Sequence, residues 1–65
     1  MKIDQEFLRN NVKKLKWQDD IDYKEIAVDL LNMNVNAFYN FVKGYKELGA
    51  ERSKLLYDYI VNMID

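Results

Sequence analysis

The chain has 65 residues, ten basic and eleven acidic for a net charge of −1, with 49% hydrophobic and 14% aromatic content. That apolar share supports a small packed core and argues against disorder, at a length near the lower limit for folding without staples. Cys, His, Thr and Pro are all absent, which removes disulfides, the commonest zinc ligands and any His-activated nucleophile, so neither an enzyme, a metal site nor a cofactor is expected.

Residues 1–65 read as one all-α domain, because only Gly44 and Gly49 interrupt the helical pattern. The expected architecture is a compact bundle of four short helices, five at most, around a central helix-turn-helix. No apolar run approaches the roughly 20 residues that span a bilayer, and Met1–Glu6 lacks the apolar core of a signal peptide. A cytoplasmic protein without a membrane partner or small-molecule substrate is expected. Charge is unevenly spread: residues 1–16 carry +3, residues 17–32 carry −4, residues 33–48 carry +1 and residues 49–65 carry −1.

The first helix is expected from Asp4 to Lys16. Ile3, Phe7, Leu8, Val12 and Leu15 form its apolar stripe and Asp4 caps its start. Lys13, Lys14 and Lys16 stand in the last turn, either as cations matched to the negative end of the helix dipole or as an edge that contacts phosphate. The second helix begins at Asp22. Asp22 and Glu25 have capping-box spacing, and Ile21 and Ile26 are placed for a hydrophobic staple. Ile26, Ala27, Leu30 and Leu31 supply its buried face, Val28 falls on the flank, and Asn32 ends it in a left-handed conformation.

Asn34 caps a third, short helix that runs to Lys43 and stops at Gly44. Phe38, Phe41 and Val42 face inward, while Val35, Asn36, Tyr39, Asn40 and Lys43 face outward with no acid among them. The last helix starts near Gly49, and Leu55, Leu56, Tyr59, Ile60, Met63 and Ile64 make its wide apolar stripe. That stripe exceeds one packed face, so a homodimer is expected through Tyr57, Ile60 and Ile64.

An Asn side chain can bond adenine through both its oxygen and its nitrogen, and Tyr and Lys commonly reach phosphates. The N-terminal residues of a groove-docked helix read bases. The candidate base contacts are therefore Asn34, Val35, Asn36, Tyr39 and Asn40, and the candidate phosphate contacts are Lys24, Lys43 and Lys46. The plainer alternative makes Asn34 a cap and Asn36 and Asn40 ordinary surface amides.

The segment IAVDLLNMNVNAFYNFVKG resembles the lambda-repressor-like (Cro, XRE-type) helix-turn-helix family, especially small phage or mobile-element members. The resemblance covers about a third of the chain. It departs at Asn32, where the family's turn usually holds Gly, and at Val28, where the family usually has Ala; here Ala27 precedes it. Either the two helices pack wider, or the second carries an extra residue. The resemblance implies a sequence-specific double-stranded-DNA-binding transcription regulator, a repressor acting as a dimer, which reads the major groove with the helix Asn34–Lys43. The alternative is a protein-interaction module such as an antirepressor or an inhibitor of a host nuclease, with Asp19, Asp20, Asp22, Glu25 and Asp29 meeting a basic partner.

Overall fold

The Asp4 carboxylate accepts the amide of Glu6 at 3.0 Å, and helix α1 runs from there over Gln5–Gln18. It is one half-turn longer than its apolar stripe suggests, carrying Trp17 and Gln18 into solvent. The computed structural model describes residues 3–64, apart from the side chain of Ile64. All regular structure within that range is helical: α1, a π-helical segment Glu25–Leu30, α2 (Val35–Val42) and α3 (Ala50–Ile64).

The π-helical segment follows a helical start at Tyr23 and Lys24. Asp22 opens it: its carboxylate accepts the Lys24 amide at 3.4 Å, and its carbonyl accepts the amides of Glu25 at 3.1 Å and Ile26 at 3.4 Å. The reciprocal bond of a capping box, from Glu25 back to the Asp22 amide, is not made among the described residues.

A π turn closes through i→i+5 bonds and so holds one residue more than an α turn. The amide of Leu31 accordingly reaches the Ile26 carbonyl at 3.0 Å. In an α-helix, five steps would carry Leu31 about 140° past the direction of Ile26. The wider winding returns it to the core side, where Ile26, Ala27 and Leu31 are all buried and Val28 points to solvent.

Asn32 then turns the chain with φ of 50°, the left-handed conformation that Asn tolerates better than most residues. Gly44 does the same after α2 with φ of 92°. The amide of Tyr45 returns to the Asn40 carbonyl at 2.9 Å and that of Gly44 to the Phe41 carbonyl at 3.0 Å, the paired bonds of a Schellman motif. Asp20, in the loop after α1, is a third left-handed residue with φ of 56°.

The core gathers Leu8, Val12 and Leu15 of α1 with Phe38, Phe41 and Val42 of α2 and Leu56 and Ile60 of α3. Leu48, from the loop before α3, is also buried. Three expected core positions lie outside it: Phe7, Leu55 and Met63 are 37%, 42% and 43% exposed. Their helices are apolar over a wider arc than the core covers.

Two polar clamps hold the bundle. Gln5 accepts the Leu48 amide at 2.9 Å and donates to the Ser53 hydroxyl at 3.0 Å, and that hydroxyl donates to the Leu48 carbonyl at 3.2 Å. The first residue of α1 is thereby tied to the start of α3. Arg9, only 8% exposed, donates from Nε to the Phe41 carbonyl at 2.7 Å and from Nη2 to the Lys46 carbonyl at 2.9 Å. Its remaining arm meets Glu6 at 2.8 Å. No buried side-chain nitrogen or oxygen lacks a partner among the described residues.

Candidate nucleic-acid interface

Helix α2 is fixed at both ends before its exposed face is considered. The Asn34 side-chain oxygen accepts the Asn36 amide at 2.7 Å, and the Gly44 turn closes the other end. Phe38, Phe41 and Val42 anchor it inward, with the rings of Phe38 and Phe41 5.7 Å apart. Asn36, Tyr39 and Lys43 are thereby turned outward.

The candidate base contacts are not equivalent in this geometry. Asn36 and Tyr39 are exposed. Asn34 is exposed too, but its oxygen is taken by the cap, so it cannot make the two-point contact to adenine that needs both oxygen and nitrogen. Val35 is half-buried and packs against the core, contrary to its outward assignment. Asn40 is half-buried as well; the Gly44 turn uses its backbone carbonyl and leaves its side-chain amide unengaged among the described residues.

Among the candidate phosphate contacts, Lys24, Lys43 and Lys46 are all exposed, and none of them is ion-paired among the described residues. The Lys24 amide already donates to Asp22, which leaves only its ammonium for a ligand. Lys43 sits at the C-terminal cap of α2.

The structure adds two residues that spacing did not single out together. The Lys16 ammonium lies 4.4 Å from the centroid of the Tyr23 ring. Tyr23 in turn stands edge-on to Tyr39 at 5.8 Å and to Phe38 at 5.9 Å. The Lys16 ammonium at the last turn of α1 thus stands over a ring that itself touches Tyr39 on the α2 face. Burial, with Tyr39 as a lesser influence, raises the Tyr23 phenol above its ordinary 10.0. The sequence signal was available, since Lys16 belongs to the last-turn lysines, but their pairing depends on the packing of α1 against the following segments.

The expected dimer contacts fare differently. Ile60 is 0% exposed and belongs to the core of the single chain, so it has no surface to offer a second copy. Tyr57 is half-buried, its ring 5.7 Å from that of Phe7. The Ile64 side chain lies outside the described residues.

No group of three or more acidic, His or Cys side chains is placed to hold a metal ion among the described residues. No described helix is long and apolar enough to cross a membrane. Comparison of the chain with protein-family models, curated proteins and solved structures finds no significant match.

Proposed function

We propose that the protein is a sequence-specific double-stranded-DNA-binding transcription regulator, of the lambda-repressor-like helix-turn-helix kind, that reads the major groove with α2. One observation carries this reading: a short helix capped at both ends displays Asn36, Tyr39 and Lys43 inside a stretch with no acidic residue between Asp29 and Glu47. A polar, acid-free face on a rigid helix suits a polyanion with base edges to read. Asn36 is assigned to base reading and Tyr39 to the groove wall. Lys43, Lys46, Lys24 and Lys16 are assigned to phosphates.

The acidic side chains of the motif lie outside α2. Asp19, Asp20, Asp22, Glu25 and Asp29 are all exposed on the loop and the π-helical segment, where like charge disfavours a polyanion. Selection from a random duplex library at low salt tests the reading. A recovered consensus supports it, and an unenriched pool opposes it.

A further inference from the structure

A groove runs along the seam between the π-helical segment and α3. Its two adjoining hollows share Leu30; one reaches Tyr59 and the other reaches Leu55. Leu55 is 42% exposed there, and Leu30 and Tyr59 are only half-buried. The rim carries Glu25 and Asp29 on one side and Glu51 on the other. None of these carboxylates is ion-paired among the described residues. Arg52, the basic residue that lines the groove, is turned to the carbonyls of Leu31 at 3.1 Å and Asn32 at 3.3 Å. It forms no ion pair with the rim, and with three carboxylates against this one guanidinium the lining stays acidic.

We infer that this groove is a docking surface for a cationic, apolar-anchored helix of a partner protein. Apolar side chains between two helical ridges receive helices whose anchors recur at three- and four-residue spacing. The net acidic rim selects lysine- or arginine-bearing helices and disfavours acidic ones. A second copy of the chain is a poor occupant. A twofold interface sets the same patch against itself and would bring Glu25, Asp29 and Glu51 toward their own images. The winding itself fits such a role, since π turns occur often at functional sites. The inference is independent of the DNA reading, because Asn36, Tyr39 and Lys43 do not line the groove.

The test is titration of the isotope-labelled full chain with two synthetic amphipathic helices, one of Leu and Lys and one of Leu and Glu, followed by amide NMR. Shifts should move at Leu30, Glu51, Leu55 and Tyr59 with the Leu/Lys helix only. Leu55→Lys, at an exposed position, should weaken that binding by about tenfold or more, as loss of an anchor does. Reversing the rim with Glu25→Lys and Asp29→Lys should transfer the preference to the Leu/Glu helix. Three results would overturn the inference: no shifts, equal response to both peptides, or shifts centred on the lysines of α1. Concentration-dependent shifts in the groove without peptide would overturn it as well, by showing a second copy there.

Discussion

The guanidinium of Arg9 donates to the Phe41 carbonyl at 2.7 Å while its carbon lies 5.1 Å from the centroid of the Phe41 ring. One residue of α1 thus binds both the backbone and the side chain of the last turn of α2. Its second bond, to the Lys46 carbonyl, ties the loop after α2 to the same guanidinium, while the first reaches a carbonyl in the helix's last turn, where intrahelical partners run out. Arg9 therefore fixes the angle at which α2 presents its outer face. Removing it leaves the Phe41 carbonyl with the Gly44 amide as its remaining donor and takes the Arg9 donor from the Lys46 carbonyl. Arg9→Met should lower stability by about 1.5–3 kcal/mol, the usual contribution of charge-assisted bonds. Glu6→Gln should cost under about 0.5 kcal/mol, because the Glu6 end of that ion pair is 70% exposed. Urea denaturation compares the two, and equal effects would contradict the clamp.

The two ends of α2 make separable demands. Asn34→Ala removes the bond to the Asn36 amide and should cost about 1 kcal/mol, while Asn34→Asp keeps an acceptor and should cost little. Gly44→Ala meets no atom within 4 Å, so any loss comes from backbone strain alone. About 1–2 kcal/mol is expected for a Cβ at positive φ. Thermal melts measure all three, and an unchanged Gly44→Ala would show that the turn relaxes to another conformation.

Tyr23 supplies a pH dependence. Its phenol is raised above 10.0 by burial and by Tyr39, so the folded chain keeps a proton that the unfolded chain releases. The stability this contributes is complete below the unfolded value and is lost as pH rises through the folded one. Denaturation midpoints taken from neutral pH to about pH 11 should fall more steeply for the native chain than for Tyr23→Phe. Parallel curves would contradict the assignment.

What the sequence disclosed was local chemistry. Asp4 and Asn34 were legible as caps, and Asn32 and Gly44 as left-handed stops, because each acts within a few residues of itself. Arg9, Ser53 and Leu48 were not, since their partners lie 32 to 48 residues away and only the packed bundle brings them together. Leu55 and Phe7 were misplaced because an apolar stripe shows which face is greasy but not how far the neighbouring helix extends over it. The π winding was not legible, because it is defined by hydrogen bonds such as Leu31 to the Ile26 carbonyl that no residue pattern in the segment prescribes. At the candidate interface, Asn36, Tyr39 and Lys43 were foreseen as outward, whereas Val35 and the engaged oxygen of Asn34 depend on how α2 is seated and capped.

Within the proposed interface, residues should sort by what they touch. Asn36→Ala should cost about 1–3 kcal/mol on the preferred site and relax choice at one base position. Lys43→Ala and Lys16→Ala should weaken binding to all duplexes alike, each lowering the salt slope by about one. Competition assays with matched and scrambled duplexes separate the two classes. A uniform loss from Asn36→Ala would remove it from base reading.

Engagement of duplex DNA by α2 is read out by the affinity of the full chain for duplex DNA as a function of salt. Binding should be tight at low salt and fall steeply toward physiological salt as counterions are reacquired, with a shallower slope for Lys43→Ala. Absence of duplex binding at low salt, or binding whose salt slope Lys43→Ala leaves unchanged, would contradict it.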